Sequence, residues 1–139
     1  MGQYHKLVNL DKQEVVDPHG LGLGAKQHEH TGAFDGSLSD AIYLLVMSSP
    51  NRGGGDWSST GGISGRWCGD RVVVVGDYTE EGDIGEYENA NKLWSESIEW
   101  FDITDLVRDA FTKVFPISYE EKFYSFDPSH AYWQRNAVE

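Results

Sequence analysis

The sequence predicts a single α+β domain, an antiparallel or mixed sheet with two helices packed on one face, and three observations carry that reading. Four consecutive valines, Val72 to Val75, lie between the pairs Gly69-Asp70 and Gly76-Asp77 and read as a fully buried strand. Ile103, Leu106, Val107, Ala110, Phe111 and Val114 recur at the spacing of one helical face. Leu38, Ala41, Ile42, Leu44, Leu45, Val46 and Met47 leave almost no polar side, as expected of a helix buried on most sides.

Taken in order, Tyr4 to Leu10 alternates weakly, and Gln13 to Val16 adds a second extended piece after Asp11-Lys12, so the two form a hairpin. Asp17-Pro18-His19-Gly20 follows as a turn, with φ preset by the proline. The first helix covers 37–48: Ser37 and Asp40 stand at capping-box spacing, Asp replacing the usual Glu, and Pro50 lies just beyond. Residues 51–65 are rich in Gly, Ser and Thr, which makes them a long loop of the kind that serves as a binding loop, a lid or a plain connector. The strand at 71–75 leads into an acidic loop, 79–91, and Ser97 to Phe101 is expected to be a strand. The second helix starts at the N-cap Asp102 and stops before Pro116, with Asp109 and Lys113 as a stabilising i,i+4 pair. The tail, 116–139, is aromatic, and Lys122 to Phe126 alternates like a short strand; it either packs onto the domain or makes a self-association surface for a homo-oligomer.

The chain has 139 residues, enough for one domain, 1–139, that buries roughly 68% of its unfolded surface. Cys68 is the only cysteine, which excludes an intrachain disulfide and fits a reducing, cytoplasmic setting. The segment Met1 to Lys6 has no apolar leader core, and Lys6 occupies the position where a myristoylation signal has Ser or Thr. The apolar run Ala41 to Met47 is far below the ~20 residues that cross a bilayer, so no membrane partner is expected. Net charge is −12, and Asp77 to Asp109 holds eleven acidic residues against Lys92 and Arg108. Such a surface repels nucleic-acid phosphates and attracts a basic protein, although a merely solvated acidic stretch has the same composition.

Residues with chemical potential are scattered. His5, His19, His28 and His30 sit in the first 30 positions with Asp17 and Glu29. If 27–31 is extended, His28 and His30 point to one side about 7 Å apart, and His19 or Asp17 completes a metal site; if it is helical, they diverge. Asp70 and Asp77 would be about 23 Å apart along one strand, too far for a carboxylate dyad, and each reads as an end-of-strand turn residue unless it shares a pocket with another element. Gly20-Leu21-Gly22-Leu23-Gly24 is not a dinucleotide fingerprint, and 51–56 lacks the Gly-Lys-Ser/Thr of a P-loop. Arg52 and Arg66 flank the glycine-rich loop and, with its amides, form a candidate site for a nucleotide or other small anionic ligand, for which Trp57 and Trp67 offer flat walls. Cys68 beside Arg71 has the setting of an activated thiol but lacks a nearby base in sequence. The pattern requires no cofactor.

Met1 to Tyr4, Val8 to Lys12, Pro18-His19, Gly22 to Gly24, Arg52 to Asp56 and Trp67-Cys68-Gly69-Asp70-Arg71 through Gly76-Asp77-Tyr78 together resemble a set of small uncharacterised proteins of bacteria, archaea and phages. The resemblance covers about the first 80 residues. It implies no catalytic residue, and its mobile-element character points to an accessory role. The expected function is that of a non-enzymatic binding protein, an acidic inhibitor or immunity-type partner. The alternatives are a small hydrolase or metal-dependent enzyme joining the histidines to Asp70 or Asp77, and anion binding at the glycine-rich loop.

Overall fold

The first two strands form the expected hairpin, β1 (His5–Asn9) and β2 (Glu14–Val16), in antiparallel register with Leu7 opposite Val16 and Asn9 opposite Glu14. Its turn is built by Asn9, whose Oδ1 accepts from the Asp11 and Lys12 amides at 2.9 and 2.8 Å. The computed structural model describes residues 2–31, 35–50, 52–54, 56–57 and 60–114. The expectations for 116–139, including the strand at 122–126, lie outside the described residues.

The valine run is strand β3 (Val72–Gly76), paired antiparallel with β1 so that Val74 faces Leu7 and Val73 faces Val8. It is not the buried centre of the sheet. The strand order is β3-β1-β2-β4, where β4 is the short strand Phe101–Asp102, which places β1 inside and β3 at an edge, with Val74 43% exposed. A β-branched run identifies a chain that fits a pleated surface, but it does not say how many neighbours that chain has.

Both faces of the sheet are covered. On one, Leu7 and Val16 pack with Leu38, Ala41, Leu44 and Leu45 of helix α1 (Leu38–Val46) and with Ile63 and Trp67. The same layer holds Val107, Ala110, Phe111 and Val114 of the second long helix, Thr104–Val114, so two helices share one face as the sequence predicts. On the other face, Val8, Val15 and Val75 meet Leu93 and the half-buried Ile84, Tyr87, Trp94 and Trp100. The acidic segment is therefore a second layer: these five side chains insert against the sheet while its carboxylates stay in solvent.

Residues 97–101 depart from the expected strand. Ala90–Lys92, helix α2 (Leu93–Glu96) and Ser97–Glu99 form successive helical turns that bury Leu93 and Ser97, four residues apart, on one side. Only β4 (Phe101–Asp102) is extended, and it runs parallel to β2. Helix α3 (Thr104–Val114) follows at once, one residue later than an N-cap at Asp102 implies: Ile103 O accepts the first helical bond, from the Val107 amide at 3.0 Å, and Asp102 Oδ1 accepts from the Thr104 amide at 2.8 Å. Leu106, assigned to the apolar stripe, is exposed, and Thr104 is buried instead.

Helix α1 begins with the expected box, Asp40 accepting from the Gly36 and Ser37 amides at 2.7 and 3.4 Å. It is less enclosed than its composition implies, since Tyr43 is exposed. Its last carbonyls are closed from a distance: the amides of Gly65 and Trp67 donate to Leu44 O and Leu45 O, both at 2.8 Å. Gly65 has φ +81°, and a Cβ there would crowd Met47 O at 3.3 Å, so glycine is required where the loop closes on the helix. Gly20 has a similar cause, because a Cβ would collide with Thr104 at the start of α3. The Gly20 to Gly24 run thus serves packing, with Leu21 and Leu23 buried between its glycines. Among the described residues, no helix is long and apolar enough to cross a membrane.

Candidate functional site

The residues expected around a pocket at the glycine-rich loop are mostly committed to the fold. Trp67 is 0% exposed and donates from Nε1 to Glu14 Oε1 at 2.6 Å, so it is core, not the wall of a cleft. Arg66 donates to the same carboxylate through Nε and Nη2 at 3.0 and 2.7 Å, a bidentate pair. Burial pushes the Glu14 carboxyl up, but the hydrogen bonds from Arg66 and Trp67 outweigh it and hold it below the usual carboxylate range. Arg52 and Trp57 are exposed, and in the described part of the loop Asp56 accepts from the Arg52 and Gly53 amides at 2.8 and 3.0 Å. Trp57 and Trp67 therefore do not face each other as two walls, and Arg66 is not free to bind an anion. Glu14 escaped the sequence reading because a lone glutamate in a short strand reads as solvent-facing; its one signal is its place between the valines and the hairpin turn.

Asp70 and Asp77 are separate and structural. Asp70 accepts from Asn9 Nδ2 at 2.9 Å and pairs with Lys12, whose ammonium holds its carboxyl below the ordinary range. Asp77 Oδ1 accepts from the Tyr4 amide at 2.9 Å beside the end of β3. Cys68 is an exposed thiol, and the neighbouring Arg71 is paired with Asp11 at 2.8 Å.

The histidines do not make the proposed ligand set. Residues Gln27–Glu29 form a helical turn, so His28 and His30 diverge, His28 exposed and His30 buried. Both ring nitrogens of His30 are used: Nδ1 accepts from the Leu38 amide at 3.0 Å and Nε2 bonds Gly24 O at 2.7 Å. A carbonyl only accepts and an amide only donates, which fixes the neutral Nε2–H tautomer and leaves no lone pair for a metal. Burial holds the ring below its ordinary pKa. His19 is exposed and lies within the 3-10 turn Pro18–Leu21 that Asp17 caps. Among the described residues, no three His, Cys, Asp or Glu side chains are placed to hold a metal ion.

The fold brings the amino-terminal histidines around His5 instead. A cavity of about 410 Å³ is lined by His5, His30, Thr31, Ser39 and Val74 among others. A shallower one of about 490 Å³ lies between Gln3, His5, Lys26, Gln27, His28 and Thr31, with no carboxylate among the described residues that line it. A third, about 310 Å³, includes His5, Lys6, Asp17, His19, Trp94 and Ile98. Lys6 at its side is buried, with Nζ donating to Trp94 O at 2.8 Å and lying 4.5 Å from the Trp94 ring centre. Burial lowers the Lys6 pKa against the opposing pull of Asp17 and Asp102. This buried ammonium ties the acidic layer to β1.

The acidic surface is the other distinctive feature. All eleven carboxylate residues from Asp77 to Asp109 are exposed. Ile98 and Phe101 stand among them, 69% and 61% exposed. Comparison with protein-family models, with curated proteins and with solved structures finds no match.

Proposed function

We propose that the protein acts by binding, as an accessory partner of a basic protein that docks on the acidic segment 77–109. The observation that carries the reading is the exposure of all eleven carboxylates of that segment together with Ile98 and Phe101. Carboxylates supply attraction and orientation, and a small apolar centre supplies the desolvated contact that long-lived complexes need. An inhibitor or immunity-type partner fits this chemistry. The hydrolase alternative has little to rest on, because Asp70 and Asp77 are engaged in separate structural bonds.

Charge reversal at Glu96 and Glu99, with Phe101→Ala as a second variant, tests the reading. Capture of basic proteins on the immobilised chain is expected to fall steeply between low and high salt and to be lost in both variants. Capture indifferent to salt and to both variants overturns it. A second reading, a small anion held between Gln3, His5, Lys26, Gln27 and His28, is favoured because the described residues lining that cleft include no carboxylate in a chain of net charge −12. It requires a melting-temperature rise with phosphate or nucleotides that disappears in Lys26→Ala; a flat response across the panel ends it.

A further inference from the structure

The geometry points to a self-pairing site on the free edge of β3, where a second copy of this chain adds its own β3 in antiparallel, two-fold arrangement and joins the two sheets into one. The phase of the β1–β3 ladder locates the open groups. The Leu10 amide donates to Arg71 O at 2.8 Å and the Asp77 amide to Tyr4 O at 3.1 Å, so residues 71, 73, 75 and 77 turn their backbone toward β1. Val72, Val74 and Gly76 turn theirs outward. Gly76 is closed by Thr79, which accepts from its amide through Oγ1 at 2.9 Å and donates its own amide to Gly76 O at 3.1 Å. Among the described residues, the amides and carbonyls of Val72 and Val74 have no such partner.

Two open residues spaced by two form a self-complementary unit. With Val73 on the two-fold axis, Val72 lies opposite the partner's Val74 and Val74 opposite the partner's Val72, and the two pairs exchange four hydrogen bonds that use every open group. The Thr79 clip fixes this register, since shifting the ladder toward Gly76 meets groups already bonded. An unrelated extended peptide would gain no further bonds past the clip, whereas a second copy also brings matching side chains. Val73 meets the partner's Val73 beside the second layer, and the exposed Arg71 falls diagonally across from the partner's Asp77. Nothing within the strand blocks the approach: Val72–Gly76 contains no charge and no proline, the usual guards of an exposed edge.

Cysteine cross-linking in a Cys68→Ser background reads the register directly. Across the two-fold axis the Val73 positions form a non-hydrogen-bonded pair with Cα atoms about 4.5 Å apart, within disulfide reach, whereas the two Val74 positions lie roughly 8–9 Å apart. Val73→Cys should give a disulfide-linked dimer under mild oxidation and Val74→Cys should not. Sedimentation of the unmodified chain should show a dimer that tightens with added salt, because two copies of charge −12 repel each other, and Val74→Lys should yield a monomer with unchanged circular dichroism. A chain that stays monomeric in high salt, a dimer that survives Val74→Lys, or cross-linking at position 74 in preference to 73 overturns the proposal. Docking of a basic protein on the acidic segment weakens with salt, so the two readings fail independently.

Discussion

Glu14→Ala is expected to lower stability by about 3 kcal/mol, which for a chain of this length moves the melting temperature by roughly 10 °C. The side chain is nearly enclosed and is the shared acceptor for the Arg66 guanidinium and the Trp67 indole. Removing it leaves a wholly buried indole N–H without an acceptor and half of a buried ion pair without its counter-charge. The reverse change is milder. Arg66 is partly in solvent, and after Arg66→Met the glutamate keeps its bond from Trp67, so about 1–2 kcal/mol is expected. Urea unfolding of the two single variants and the double variant checks the asymmetry; equal costs for Glu14→Ala and Arg66→Met would show that the indole bond adds nothing.

His30→Ala should cost about 2–3 kcal/mol, the second large effect, because the buried ring bonds two parts of the chain at once, Gly24 and the start of α1. It accepts the Leu38 amide at the start of α1, donates to Gly24 O, and its own carbonyl accepts from Ser39 Oγ. The same ring confers pH dependence. Its pKa in the fold lies below the ordinary 6.5, so the unfolded chain binds the extra proton more readily. The stability it contributes is present above about pH 6.5 and is lost as pH falls through the lowered value in the fold. Glu14 acts in a lower window: its contribution is present above the ordinary 4.5 and is lost as pH falls through its own depressed value. A pH series of unfolding curves should therefore flatten in the upper window for His30→Ala and in the lower one for Glu14→Ala. An unchanged upper slope in His30→Ala would contradict the neutral ring.

The periodic parts of the sequence were legible because they report on one face at a time. The stripe from Ile103 to Val114 gave α3, and the Ser37–Asp40 spacing gave the start of α1. What stayed hidden depended on partners far away in the chain. Whether a run of valines is central or marginal is decided by what lies beside it, and β1, with its weak alternation of Tyr4, Lys6, Val8 and Leu10, gave no hint of its inner position. Ser97 to Glu99 looked extended because Ile98 stands between polar neighbours, yet Leu93 and Ser97 turn a helical side to the sheet. The site residues were chosen for their chemistry, and most proved to be bonded within the fold: Arg66 and Trp67 to a glutamate not singled out, Asp70 to the hairpin, His30 to a helix start. Polar side chains with chemical potential are also those best able to satisfy buried amides and charges, so their identity alone cannot separate the two uses.

The inner place of β1 governs how the molecule must assemble. During synthesis β1 can close at once only with β2, and its other flank waits for β3, more than sixty positions later, to complete the ladder. Until then a bare hairpin offers Leu7, Val8, Val15 and Val16 to whatever is near, so the hairpin cannot mature before β3 has been made, and its capture by a chaperone or by a neighbouring nascent chain competes with the native closure.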